Sequence, residues 1–220
     1  MSFGQLIALL TFVLSMGTIA VTYAVGTAQE TAVLCNPFLT GCTDITHTGM
    51  KGDAGFIFRG GMITASAFMM VWWWVMRSWL LPHSHRMALN VMTGLGILGA
   101  IGLIVGTAVL LPEKSDSPWR LHVQGANVYF QGTIIAIIIS YVLIYRAQKS
   151  GWSVPSYRFK SFLLIGLLVM SVLVEGAAVT VNMSHKARII EWWGTLFVGL
   201  YFLSSYWDWR GVRLVSHDTD

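Results

Sequence analysis

The sequence predicts an all-α polytopic membrane protein: six transmembrane helices in one bundle, with a structured outer loop. Three observations carry this. Only 11% of the 220 residues are charged and 55% are hydrophobic, whereas a soluble domain carries about 25% charged residues. Mean hydropathy is +0.64, and apolar runs recur at lengths of about 20 residues, enough to cross a bilayer core of about 30 Å. Between them stands one long polar stretch, Cys35 to Gly49, running on to Phe58 and Arg59. The spans leave room for nothing else, so residues 1–220 form one domain, with the outer loop at about 27–56. The net charge of +4 reads as loop charge at a membrane surface, not as a nucleic-acid partner.

Span one is expected from Gln5 to Gly26. No charged side chain precedes Glu30, and Ser2 to Gln5 supplies no basic n-region. The segment is therefore read as a retained span, not a cleaved signal. The loop follows. Pro37 fixes its own backbone and disfavours helix at Asn36. Thr46 and Thr48 suit turns, and Gly49 is the expected positive-φ position. Span two runs from Phe56 to Leu81, with Trp72, Trp73 and Trp74 toward an interface and Arg77 free to snorkel. Leu81 to Arg86 is a polar link.

Span three, Met87 to Pro112, is uncharged and carries Gly102 and Gly106, a spacing that permits close helix approach. Glu113 to Pro118 is a turn. Span four runs from Leu121 to Tyr145, and Arg146 to Lys160 is a basic loop. Span five runs from Ser161 to Asn182, interrupted by Glu175. His185 to Arg188 is a loop, and span six runs from Ile189 to Trp207.

Six spans put both termini on one side. Arg77, Arg86, Arg146, Lys149, Arg158, Lys160, Arg210 and Arg213 share that side. Lys51, Arg59, Lys114, Arg120, Lys186 and Arg188 lie on the other. The larger basic group marks the cytoplasmic side, so the 35–59 stretch faces the lumen or exterior. There Cys35 and Cys42 are compatible with a disulfide; in a reducing compartment they would be two thiols.

Several polar residues converge on the outer side: Asp44, His47 and Arg59 from the loop and its edge, His122 at the start of span four, and Glu191 at the start of span six. Glu175 lies within span five, where an ionisable residue is a functional candidate by default; the alternative is a structural carboxylate. Gln124, Asn127 and Gln131 fall at i, i+3 and i+7 on one face of span four, and their simplest use is interhelical hydrogen bonding. Together these nine residues form a candidate lipid- or ligand-site. No pair has metal-ligand spacing, no nucleophile motif is present, and no cofactor is expected.

The motifs Pro37-Phe38-Leu39, Ile45-Thr46-His47-Thr48-Gly49 and Ile57-Phe58, then His122, Gly125, Ala126 and Phe130, then Glu191-Trp192 and Phe202-Leu203-Ser204 resemble the damage-regulated autophagy modulator (DRAM) superfamily. Its relatives include a branch linked to phosphoinositide-kinase recruitment and a branch of GPI-anchor lipid remodelling. The chain departs from the family pattern in about three extra residues between Pro37 and Ile45, in His47 where an acidic residue is usual, and in Gly52-Asp53-Ala54 where Pro-Pro-Glu is usual. The resemblance implies a non-enzymatic multi-pass protein of the plasma or endolysosomal/Golgi membrane that modulates lipid organisation or autophagy-type trafficking. Its partners would be membrane lipids and other membrane chains. An intramembrane lipid-modifying enzyme using the outer polar cluster is one alternative. A transporter or structural subunit of a larger complex is another. The basic loop Arg146–Lys160 is either a headgroup contact or only a topology signal.

Overall fold

The computed structural model describes residues 1–110, 116–175 and 185–210. The expected span ends at Pro112 and Asn182, the residues Glu113 to Ser115, and Arg213 lie outside them. The described residues are helical, with no strand among them. The helices are α1 (Phe3–Ala28), α2 (Pro37–Thr40), α3 (Ile45–Thr48), α4 (Gly52–Leu80), α5 (Arg86–Ala108), α6 (Asp116–Lys149), α7 (Tyr157–Glu175) and α8 (His185–Asp208). Four are long and apolar enough to cross a membrane: Phe3–Ala28, Gly52–His83, Arg86–Ala108 and Ser117–Lys149.

Six long helices pack as a closed ring in the order α1, α4, α5, α6, α7, α8 and back to α1. The first turn of α1 is built by Ser2, whose hydroxyl accepts from the Gln5 N–H at 3.2 Å while Gln5 Oε1 accepts from the Ser2 N–H at 2.9 Å. This reciprocal cap satisfies two orphan donors. The same residues close the ring, because Ser2 Oγ donates to the Trp209 carbonyl and Gln5 Nε2 to the Tyr206 carbonyl. Across the polar loop, Gln29 Nε2 donates to Asp53 and Gln29 Oε1 accepts from its N–H, so the end of α1 caps the start of α4.

The tightest seam is α5 against α6. A Cβ on Gly125 would lie 2.6 Å from the Gly102 carbonyl and the Gly106 nitrogen, and a Cβ on Gly102 would lie 2.8 Å from the Gly125 carbonyl. The backbones meet there because three glycines coincide, as the Gly102/Gly106 spacing suggests.

The core differs from expectation at Trp72 and Trp73. Both are buried, at 0% and 1% exposure, and only Trp74 faces outward. Trp72 donates to the Phe202 carbonyl at 3.1 Å and lies 4.8 Å from the Phe202 ring and 5.3 Å from Trp209. Such aromatic contacts add about 0.5–1.5 kcal/mol each beyond area burial, and they bind α4 to α8 and to the residue that follows it. Arg77 does not snorkel freely either; its Nε donates to Asn90 on α5.

Two expected loops contain helix. Ser117 and Pro118 sit in the first turn of α6, where a proline lacks no bond that a helix start would use. His185 to Arg188 form the first turn of α8. Gly49 has φ −110°, and the positive-φ glycines of the loop are Gly41 at +57° and Gly52 at +58°. Gly49 is small for another reason: the Phe58 ring fills the space a side chain would take.

Lys160 also departs from expectation. It is not a loop cation but is fully buried, 2.7 Å from Asp208 and bonded to Ser156 and Ser204 at 2.8 and 2.6 Å. Asp208 in turn accepts from the Ser156 N–H and hydroxyl. A buried pair holds only when its remaining donors and acceptors are met, and these hydroxyls meet them. The basic surface of this link is therefore Arg146, Lys149 and Arg158, all exposed.

Candidate functional site

The loop between α1 and α4 forms a lid on the start of α8. Asn36 is extended, and Pro37 takes the first helical position of α2. Gly41 turns left-handed and directs its carbonyl at α8, where His185 Nδ1 donates to it at 3.1 Å. Arg188 Nη1 donates to the Cys42 carbonyl at 3.1 Å. Trp192 Nε1 donates to the Thr43 carbonyl and Trp193 Nε1 to the Phe38 carbonyl. Phe38 packs edge-on against both indoles. Cys35 and Cys42 are joined as a disulfide, Cα atoms 6.7 Å apart, and Tyr23 Oη donates to the Cys35 carbonyl at 2.6 Å.

Asp44 caps α3. It accepts from the His47 N–H at 2.7 Å and contacts His47 Nδ1 at 2.6 Å. Burial pushes its carboxyl up, but the His47 bonds and charge, with Arg188 beyond, outweigh burial and hold it below the usual aspartate value. His47 itself is 42% exposed in its side chain and faces away from the bundle interior.

Beneath the lid lies a cavity of about 80 Å³. Helices α1, α4, α5, α6 and α8 wall it, and Ile45 and Thr46 of α3 roof it. Its walls are mostly apolar: Met16, Ile19, Phe58, Met62, Leu103 and Phe130. Its polar groups are few and specific. His122 Nδ1 is 2.8 Å from the Gly106 carbonyl. A carbonyl only accepts, so Nδ1 carries the proton and Nε2 is the acceptor of the neutral ring. Thr46 Oγ1 approaches Nε2 at 3.4 Å. The same His122 contact satisfies one of the orphan carbonyls at the end of α5.

Glu191 and Thr195 line the cavity from α8 at i and i+4, on one helix face. The Ile45 backbone lies close to the Glu191 carboxyl. Glu191 Oε2 and Thr195 Oγ1 are nevertheless buried with no hydrogen-bond partner among the described residues. A buried acceptor left unmet costs about 1–3 kcal/mol. Glu191 Oε2 and the Thr195 hydroxyl, which can donate or accept, together favour a guest that carries hydrogen-bonding groups.

Of the sequence candidates, His122 and Glu191 share this cavity, and Asp44 immediately precedes its roof residue Ile45 in the lid. Arg59 does not enter it; its Nη1 donates to the Leu110 carbonyl at 3.0 Å and its guanidinium lies 5.2 Å from the Phe56 ring. Gln124, Asn127 and Gln131 do not join either. All three are exposed on the outer face of α6, and no side-chain hydrogen bond ties them to another described residue. Their expected use within the bundle is therefore not what the structure shows. Glu175 ends α7, and its side chain lies outside the described residues. No group of three or more acidic, histidine or cysteine residues able to hold a metal occurs among the described residues. Thr195 and Thr46 escaped the sequence reading, although the i+4 spacing from Glu191 to Thr195 was available as a signal.

The family model described as Frag1/DRAM/Sfk1/Cwh43P N-terminal domain matches residues 3–212. No curated protein and no solved structure matches the chain.

Proposed function

Because the chain belongs to the Frag1/DRAM/Sfk1/Cwh43P N-terminal-domain family, we propose that it acts in a membrane without catalysing a reaction. It modulates lipid organisation or trafficking by holding a lipid under its lid. In this reading all six long helices cross the bilayer and both termini are cytoplasmic. Family membership supports the membrane setting. The lipid role rests on one observation: two unmet buried oxygens, Glu191 Oε2 and Thr195 Oγ1, in a mostly apolar cavity.

The chemistry of that cavity selects its guest. A volume of about 80 Å³ holds a few water-sized groups. It suits a hydroxyl or ammonium with a short length of hydrocarbon, and it is too small for a phosphorylated inositol ring. The unmet Glu191 Oε2 and Thr195 hydroxyl favour a polar head that hydrogen-bonds to them, and the apolar wall favours the chain beneath it.

The test is native mass spectrometry in mild detergent of wild type beside Glu191→Gln. The expected result is a defined hydroxyl- or amine-bearing lipid on wild type, reduced at least tenfold on the variant. Equal, nonspecific lipid on both overturns the reading. A second reading, a lipid-modifying enzyme, draws on His122 and Glu191 sharing one cavity. A lipid product of altered mass, formed by wild type and not by Glu191→Gln, would replace the first reading with it.

A further inference from the structure

We propose that the outer face of α6 is a docking surface for a second copy of this chain. The seam runs Gln124, Val128, Gln131, Ile135, Ile138, Val142 and Tyr145. Its steps are four and three residues in strict alternation, the heptad spacing of paired helices. All are exposed except the half-buried Ile138, with Val128, Ile135, Val142 and Tyr145 between 39% and 46%. Asn127 lies beside the seam. From Gln124 to Tyr145 it is about 32 Å long at 1.5 Å per residue, which is the thickness of a bilayer core.

Of these amides, Gln131 is misplaced for a surface that meets only lipid. Gly132, next to Gln131, packs on Gly99 of α5, with a Cβ site 3.3 Å from its Cα. Gly99 lies nine residues before the end of α5 at Ala108, about 13 Å down the helix. At this depth the neighbouring exposed side chains, Leu98 and Ile101, are apolar. A carboxamide there leaves two donors and an acceptor without water. No described residue of the same chain meets them.

A second copy meets them for a specific reason. Two copies in one membrane share an orientation, so their α6 helices run parallel and each seam residue faces its own counterpart. A carboxylate or an ammonium facing itself would repel. A carboxamide is donor and acceptor at once and is its own complement. Amides at heptad positions also fix register in parallel pairs, and the apolar lower half of the seam packs as knobs into holes.

The two cysteines are joined, so an introduced cysteine is a unique reporter. Gln131→Cys, Ile135→Cys and, as the off-face control, Ile165→Cys on α7 (63% exposed) are oxidised in native membranes. The expected result is a band at twice the 24.3 kDa monomer mass for the first two and little for Ile165→Cys. No dimer at positions 131 and 135, or equal dimer at 165, overturns the proposal. A cross-linked band of another mass overturns it in favour of a different partner chain. In the Ile135→Cys background, Gln124→Leu/Asn127→Leu/Gln131→Leu is expected to lower cross-linking at least fivefold. Unchanged cross-linking would overturn the role given to the amides. The readout is independent of the lid cavity.

Discussion

At the residue scale, Lys160 and Asp208 make the sharpest case. Both side chains are fully buried at 2.7 Å, and removing one partner of such a pair strands the other charge. Lys160→Met is expected to destabilise the protein by about 3 kcal/mol, read as thermal unfolding in detergent. Lys160→Met/Asp208→Asn leaves no charge behind, and the introduced carboxamide oxygen still accepts from the Ser156 N–H, so the double variant is expected to be the more stable of the two. Equal loss in both would mean that packing, not charge, is what Lys160 contributes. None of this was legible in the sequence. A lysine just ahead of an apolar run reads as a loop cation, and the partner that buries it is 48 residues away. By contrast, His122 and Glu191 were legible, because each is polar at the edge of an apolar run.

At the element scale, apolar length alone located the long helices, since burial in a bilayer demands about 20 such residues whatever their neighbours. Their ends were less legible. Ser117–Pro118 and His185–Arg188 look like loops by composition. The first is helical because proline is tolerated in a first turn. The second is helical because the lid carbonyls of Gly41 and Cys42 take up His185 and Arg188. The glycine seam was visible as a pattern on one side, and its counterpart at Gly125 was not. Gly125→Val pushes a side chain into the α5 backbone and is expected to cost at least about 2 kcal/mol. Gly94→Ala, with nothing within 4 Å of its Cβ site, is expected to be neutral. Thermal unfolding of the two variants decides; a silent Gly125→Val would mean that α5 and α6 can part at no cost.

At the scale of the whole molecule, the ring places the lid at one end and the start of α1 and end of α8, with Arg146, Lys149 and Arg158, at the other. The proposed six crossings and the basic-residue bias together give a direct expectation. Val33→Cys, exposed in the lid, should react with a membrane-impermeant maleimide on intact cells. Ser153→Cys, between α6 and α7, should react only after permeabilisation. Labelling of both from one side would refute an odd number of crossings between them.

The ring also has a direction in time. The lid leaves the ribosome directly after α1, but the indole that clasps it, Trp192, comes 149 residues after Thr43. At 5–20 residues per second the lid waits roughly 7–30 s for its partner. The last helix made is thus the one that latches both the first helix and the first loop. A chain stopped before α8 would carry an undocked loop, open to proteases and to thiol exchange. Docking of the lid therefore waits on α8, which supplies His185, Arg188, Trp192 and Trp193 to it.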